Sequence, residues 1–167
     1  MKDEKQWDPE LMIRRARSLA CVVEEIGERG KKAGPGDGLL FEGNMLAETV
    51  LLSLAAEIAL KAWQCRERNG APDRTHDLEE LFDGLGDESR ARLEEKMPEV
   101  ESPVRGFPSV YPGIREALAR CGNMFLEWRY AHEHQSLYAE TGVLKTALKA
   151  IVEAYDDLPS SGRTSQW

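Results

Sequence analysis

The stretch MLAETVLLSLAAEIALKAW, from Met45 to Trp63, is apolar on nearly every side of a helix. A helix without a polar face is buried, either in a protein core or in a membrane. Glu48, Glu57 and Lys61 interrupt this stretch, and their charges favour a core helix over a membrane span. We therefore predict a central, buried helix that runs from about Glu42 to Arg68.

Signals for helix starts and ends lie on both sides of this segment. Asp8 is a suitable N-cap, and Pro9 fits the first helical position because its missing N–H would have no partner there. The glycine-rich segment GKKAGPGDG ends this first helix. DLEELFDGLGDESRARLEE begins with a capping box of Asp77 and Glu80 and predicts two short helices separated by GLGD. The apolar stripe of the first helix is Met12, Ala16, Leu19, Val23 and Ile26.

Two later segments repeat the four-three spacing of apolar residues that suits helix packing. One begins near Pro112 and continues through His132, and the other runs from Leu144 to Leu158. A proline-rich loop over 97–112 precedes them, and alternating strand patterns are absent. We predict an all-α fold, an up-down helical bundle of four long helices plus one or two short ones. A single domain over 1–158 and a disordered tail over 159–167 are expected.

The charge balance limits the classes of partner. The formal net charge of −8 argues against a protein that holds nucleic acid by its overall charge. Arg14, Arg15 and Arg17 form the densest basic group, which we interpret as a solvated face of the first helix. The N-terminal residues MKDEKQWDPE lack the apolar run of a signal peptide. We expect a cytoplasmic protein that does not engage a membrane.

The three cysteines are scattered along the chain. Cys21, Cys65 and Cys121 show neither a CxxC spacing nor a histidine-paired spacing, so the pattern predicts neither a zinc site nor a disulfide framework. Each falls in an apolar helical pattern, where a free cysteine behaves as a small core residue. We therefore expect all three to be reduced and to contribute to the core.

Glu57 is the candidate polar residue of the central helix. A buried carboxylate without a partner would cost several kcal/mol, so a cation should lie beside it. Lys61 is four residues further along, on the same helical face and in the favourable orientation. A longer-range partner such as Arg129 is equally compatible with the sequence. These two pairings remain open at this point.

Two segments carry a family resemblance. LLSLAAEIALKAWQCRERNGAPDRTHDLEELF, from Leu51 to Phe82, joins a helix containing E-I-A-L-K-A to a short loop and the pattern H-D-L-x-x-L, and FLEWRYAHEH follows later. Together they resemble the HEPN domain, a helical family of prokaryotic nucleotide-related and RNA-cutting proteins, over roughly residues 42–157. The resemblance implies a HEPN-like bundle and a metal-independent endoribonuclease of the toxin or defence type. It also implies a homodimer, an RNA substrate, an antitoxin or operon partner protein, and no cofactor or metal.

The catalytic residues that this resemblance implies are Arg129 and His134. HEPN ribonucleases carry an arginine followed by a histidine at this spacing, usually with Asn, Asp or His directly after the arginine, where this chain has Tyr130. Cleavage without a metal needs a group that moves the proton of the 2′-hydroxyl and a cation that stabilises the phosphorane. A histidine and an always-protonated arginine suit those two roles. On an ideal helix, however, five positions place the two side chains roughly 140° apart.

A second interpretation of the same stretch fits helical geometry better. Arg129 and Glu133 are four residues apart on one face, and His132 ends the apolar seam on the neighbouring face. Arg129 would then satisfy Glu133 or Glu57 within a structural polar cluster, with Tyr130 at its rim. The corresponding alternative function is a non-catalytic HEPN-like module for dimerisation or partner binding, in which Glu57, Tyr130, His132 and Glu133 support the fold. Whether the protein is an enzyme is left open.

His76 is the third histidine of the chain, and it directly precedes the predicted helix start at Asp77. At that position it would either bind an anion or fix the loop in place. The sequence favours the structural role.

Overall fold

The computed structural model describes residues 7–33, 38–97, 113–122 and 141–159. Within these ranges the chain forms six helices and no strands, so the all-α prediction is confirmed for the described residues. The helices are α1 (Pro9–Ala33), α2 (Gly38–Arg68), α3 (Leu78–Asp83), α4 (Asp87–Lys96), α5 (Ile114–Arg120) and α6 (Thr141–Asp156). Almost all of the proline-rich loop and the tail from residue 160 onward lie outside these ranges.

Helix α1 begins as the sequence predicts. The backbone N–H of Leu11 donates to Asp8 Oδ1 at 3.0 Å, and Pro9 occupies the first helical position. The glycines of α1 show that it runs antiparallel to α2, because Gly27 lies beside Glu48 and the later Gly30 lies beside the earlier Asn44. The side chains that α1 buries most completely are Ile13, Ala16 and Val23.

The predicted role of one cysteine in this helix is wrong. Cys65 and Cys121 are buried, as expected, but Cys21 is exposed. It lies two residues before the buried Val23, so about 200° of helical rotation separates the two side chains. Short-range apolar spacing did not distinguish the buried face of α1 from its flank.

Helix α2 is the central element of the core, as its sequence predicts. Small buried residues at Ala55, Ala56, Ala59 and Ala62 let neighbouring helices approach its backbone closely. At its C-terminal half Trp63 is buried and donates its indole N–H to the carbonyl of Ile151 at 3.1 Å. This contact joins α2 to α6.

Helix α3 is positioned through Gln64, a fully buried amide on α2. Its Nε2 donates to the carbonyl of Leu81 at 2.8 Å and to Asp73 Oδ2 at 3.0 Å, and its Oε1 accepts from the Asp73 backbone N–H at 2.8 Å. A buried polar group of this kind stabilises only when its hydrogen bonds are satisfied. Gln64 therefore fixes both the loop after α2 and the helix that follows.

The capping box predicted for α3 is half present. Asp77 caps the helix, since its Oδ1 accepts from Glu79 N at 2.9 Å and from Glu80 N at 3.1 Å. The Glu80 carboxylate does not return to Asp77, however. Its Oε2 accepts from the Thr75 hydroxyl at 2.6 Å, and the same hydroxyl accepts from Asp77 N at 3.1 Å. Thr75 thus takes the place that the box motif assigns to Glu80.

Helix α5 is shorter than its apolar pattern predicts. It ends at Arg120, and Cys121 and Gly122 form a turn, so the predicted continuous seam through His132 is interrupted at this point. A tertiary contact explains the turn, because the carbonyl of Gly122 accepts from Leu78 N at 3.0 Å at the start of α3. A side chain at Gly122 would also lie 3.0 Å from Asp77 Oδ2. Residues 123–140, including His132, lie outside the described residues.

Helix α6 carries the apolar stripe that the sequence predicts, with Leu144, Leu148, Ile151 and Tyr155 all buried. Near its end the Tyr155 ring meets Trp63 edge to face, with 5.6 Å between ring centroids. Among the helices that the structure describes, none has both the length and the apolar character of a membrane span.

The buried Tyr155 makes the stability of the fold sensitive to alkaline pH. Its hydroxyl donates to Glu10 Oε1 at 3.1 Å, and the Arg66 guanidinium lies 4.9 Å from the ring centroid. Burial raises the pKa of Tyr155 from 10.0 to about 12, with Glu10 adding to the rise and Arg66 opposing it. Between these two values the unfolded chain ionises this tyrosine while the folded chain keeps it neutral. The stability that the neutral phenol contributes is therefore lost as the pH rises from 10 to 12.

We expect Tyr155→Phe to remove this part of the pH dependence, because phenylalanine cannot ionise. Urea unfolding at pH 8, 10 and 11 measures this pH dependence as the slope of the unfolding free energy against pH. The slope above pH 10 should be shallower in the variant than in the wild type. Equal slopes in the two proteins would contradict the assignment of alkaline sensitivity to Tyr155.

Candidate functional site

A polar cluster lies where the loop after α2 passes over that helix. It consists of Glu57 and Lys61 of α2 together with His76 of the loop, and we call these residues the Glu57 cluster. The Glu57 side chain is only 7% exposed and that of Lys61 16%, whereas the His76 side chain is 49% exposed. The cluster therefore extends from the protein interior to the surface.

The carboxylate of Glu57 is the centre of this cluster. Lys61 Nζ donates to Glu57 Oε1 at 2.7 Å, one helical turn away. His76 Nδ1 lies 3.0 Å from Oε1 and 3.0 Å from Oε2 of the same carboxylate. The i,i+4 pairing with Lys61 is thus present, and His76 is a long-range partner that the sequence did not indicate. The alternative partner, Arg129, lies outside the described residues.

The loop that carries His76 is fixed on both sides of the histidine. Asn69, with a φ of 49°, turns the chain out of α2 in a left-handed conformation that asparagine tolerates. Asp73 is held by Gln64 and by Arg68, whose Nη1 lies 2.6 Å from Asp73 Oδ1. The hydrogen bond from Arg68 lowers the pKa of Asp73, which keeps this anchor charged at neutral pH. After the histidine, the Asp77 cap begins α3.

The contact with Glu57 affects which nitrogen of the His76 imidazole carries the proton. A carboxylate that accepts from Nδ1 selects the tautomer in which Nε2 is the basic nitrogen, and it stabilises the imidazolium that forms on protonation. The imidazole of histidine can both accept and donate a proton, as acid–base catalysis requires. Glu57, Lys61 and the partly exposed His76 can therefore support acid–base chemistry at the surface of α2.

The residues that the sequence singled out in its C-terminal third are not described by the structure. Arg129, Tyr130, His132, Glu133 and His134 lie within 123–140, so their grouping as a catalytic pair or as a structural cluster stays a prediction. Of the predicted site residues, only Glu57 falls in a described range. Within the described ranges, no group of three or more His, Cys, Asp or Glu side chains is arranged to hold a metal ion.

The sequence pointed to His76 but did not pair it with Glu57. Nineteen positions separate the two residues, so no helical spacing connects them. The one available signal was the histidine directly before the N-cap at Asp77, a place where a loop is held in a defined conformation. The contact itself depends on the path that Asp73 and Gln64 impose on the loop.

Comparison of the chain with protein-family models, with curated proteins and with solved structures finds no match. The HEPN resemblance therefore stays a prediction.

Proposed function

We propose that the protein is a HEPN-like, cytoplasmic, RNA-directed protein that performs metal-independent endoribonuclease chemistry of the toxin or defence type. The observation that carries the proposal is the contact of the half-exposed His76 with the buried carboxylate of Glu57, beside Lys61. A held imidazole next to a fixed cation is a suitable arrangement for proton transfer at a phosphodiester. The homodimer, the RNA substrate and the antitoxin or operon partner protein belong to the same proposal.

In the proposed reaction, a histidine accepts the proton of the ribose 2′-hydroxyl and the 2′ oxygen attacks phosphorus. The bond between phosphorus and the 5′ oxygen then breaks, and that oxygen receives a proton from a second acid. The products are a 2′,3′-cyclic phosphate and a 5′-hydroxyl. His76 and His134 are assigned to the two proton transfers, and Arg129 to stabilisation of the phosphorane charge. Glu57 is assigned as a positioning residue because it acts through His76.

The test is cleavage of total RNA in the presence of EDTA by wild type, His76→Asn and His134→Ala. The amide of asparagine still donates to Glu57 but cannot transfer a proton, so His76→Asn separates the chemical role of His76 from its structural one. We expect both variants to keep their thermal unfolding midpoint and to lose about 100-fold or more in initial rate. The wild-type products should carry 2′,3′-cyclic phosphate ends.

A matched pair of arginine variants controls for general loss of positive charge. Arg129→Gln should lose activity, whereas Arg15→Gln, on the exposed face of α1, should cleave at the wild-type rate. A folded wild type that leaves RNA intact under these conditions would refute the proposal. So would full activity in both histidine variants.

A second candidate function is the non-catalytic dimerisation or partner-binding module. It is favoured by a group of exposed apolar side chains in the first turns of α2. If this is the function, the folded protein does not cleave RNA, and substitutions in the Glu57 cluster change only its stability. The RNA assay therefore separates the two candidates.

A further inference from the structure

The first turns of α2 expose five large apolar side chains, which we call the α2 tip. They are between 39% and 84% exposed. At about 100° per residue they are distributed around the helix, and of the five only Phe41 and Met45 lie close together on one side of it. The members of the α2 tip are Leu39, Leu40, Phe41, Met45 and Leu46.

Phe41 and Met45 of the α2 tip continue a stripe that is buried further along the same helix. Phe41 and Met45 precede Thr49 by eight and four residues, so all three lie on one face of α2, and Thr49 is buried. Helix α6 follows α2 from the Glu48–Lys145 pair, where Lys145 Nζ lies 2.6 Å from Glu48 Oε1. Phe41 and Met45 remain exposed beside the described start of α6. The core-facing stripe of α2 thus extends beyond the part that α6 covers.

A groove runs between this stripe and the end of α1. Its apolar lining includes Ile26, Phe41 and Met45, and its volume is about 260 Å³. Gly27 and Gly30 of α1 line it as well, so no side chain from these two positions occupies the space. An apolar groove between two antiparallel helices can bind a third helix, whose ridge of side chains packs into that groove.

The charges that line the groove indicate which kind of helix would fit. Among the described residues that line the groove, Glu24, Glu28 and Glu48 contribute three carboxylates, and Lys145 contributes an ammonium group that is already paired with Glu48. A second copy of this chain would bring the same acidic groups face to face, and like charges disfavour that arrangement. A segment with basic side chains beside its apolar face would instead meet the carboxylates of Glu24 and Glu28 along the α1 edge of the groove.

We propose that the groove between the α2 tip and the end of α1 binds an amphipathic partner helix whose apolar face is flanked by lysine or arginine. The apolar face of the partner covers Phe41 and Met45, and its basic residues meet Glu24 and Glu28. This inference is independent of the chemistry proposed for the Glu57 cluster. Binding at the groove and cleavage of RNA are measured separately, so either one can fail alone.

The test uses a fluorescein-labelled peptide of about 18 residues, five helical turns, built from leucine and lysine with the leucines on one face. Fluorescence anisotropy compares it with a leucine–glutamate peptide of the same pattern and with a scrambled leucine–lysine peptide. We expect the full-length protein to bind the first peptide at least about tenfold more tightly than either of the others. Its affinity should fall with added salt, since carboxylates at the edges of the groove contribute to it.

Protein variants then localise the binding. Phe41→Ser/Met45→Ser and Glu24→Gln/Glu28→Gln should each weaken binding, the first by about tenfold or more because it removes the apolar contact. Val22→Ser is the matched control, since Val22 is an exposed apolar residue of α1 outside the groove. It should bind as the wild type does. Thermal unfolding checks that all the variants keep their fold.

Three results would overturn the proposal. Equal affinity for the lysine and glutamate peptides would remove the charge argument, and unchanged binding by Phe41→Ser/Met45→Ser would place the peptide elsewhere. Sedimentation that shows a wild-type dimer converted to a monomer by Phe41→Ser/Met45→Ser would identify a second copy of the chain as the occupant.

Discussion

Replacing Trp63 with alanine is expected to lower the free energy of unfolding by about 3–5 kcal/mol, the usual cost of deleting a buried tryptophan side chain. Trp63 is buried where α2 meets α6 and packs edge to face on Tyr155. The substitution removes this apolar contact and leaves a cavity that the backbones of two long helices cannot easily collapse around. It also leaves the carbonyl of Ile151 without the indole N–H that it now accepts at 3.1 Å.

Trp63→Phe separates the two contributions. Phenylalanine keeps an aromatic ring next to Tyr155 but has no N–H for the Ile151 carbonyl. It should therefore cost less than alanine, on the order of 1–2 kcal/mol for the lost hydrogen bond and the smaller ring. Urea unfolding followed by far-ultraviolet circular dichroism measures both variants, with exposed Val22→Ala as the control near zero. A cost below about 1 kcal/mol for Trp63→Ala would show that the α2–α6 contact is not central to stability.

The parts of the fold that sequence predicted well are those fixed by neighbours along the chain. Asp8 and Pro9 begin α1 because a cap needs only the next three residues, and Asp77 begins α3 for the same reason. The end of α2 at Arg68 was predicted correctly because Asn69 and Gly70 interrupt the helix locally. Helical periodicity likewise identified the buried face of α6.

The failures at α5 and α3 have different causes, a contact between distant segments in the first and a competing contact within a short loop in the second. The apolar spacing around Cys121 continues smoothly, yet α5 stops at Arg120 because the Gly122 carbonyl is bonded to Leu78. Glu80 has the right spacing for a capping box, yet the backbone N–H of Asp77 donates to the Thr75 hydroxyl, which in turn donates to the Glu80 carboxylate. Local patterns could not have placed the contact of Gly122 with Leu78, which are far apart in the chain. Thr75 precedes Asp77 by only two residues, so its hydroxyl competes with Glu80 through a local side-chain-to-backbone hydrogen bond.

In the candidate site, one contact is local and could be predicted from the sequence, and the other joins distant residues and could not. The pairing of Glu57 with Lys61 is an i,i+4 contact on one helix and was available from the sequence. The contact of His76 with Glu57 required the path of the loop, which Asp73 and Gln64 determine through three hydrogen bonds. The HEPN resemblance contributed residues outside the described ranges, and their roles remain predictions.

Lys61→Met is expected to destabilise the protein by about 2–3 kcal/mol at neutral pH, because it leaves the buried Glu57 carboxylate with fewer charged partners. The cost should fall somewhat short of the full penalty for an unpaired buried charge, since His76 still contacts both carboxylate oxygens. Lys149→Met is a matched control. Lys149 and Glu153 have the same i,i+4 spacing on α6, but both side chains are well exposed and lie 3.8 Å apart. Its loss should cost no more than about 0.5 kcal/mol.

The double variant Glu57→Leu/Lys61→Met should be more stable than Lys61→Met alone, because it removes the buried charge together with its partner. Urea unfolding of Glu57→Leu, Lys61→Met and the double variant gives the coupling energy between Glu57 and Lys61. If Lys61→Met costs no more than Lys149→Met, the pairing is not stabilising and the burial of Glu57 has another cause.

The double variant also bears on function, since its His76 no longer has a carboxylate at Nδ1. If Lys61→Met still cleaves RNA and the folded double variant does not, Glu57 is identified as a residue that positions His76. A folded double variant that cleaves RNA as the wild type does would place the chemistry elsewhere in the chain.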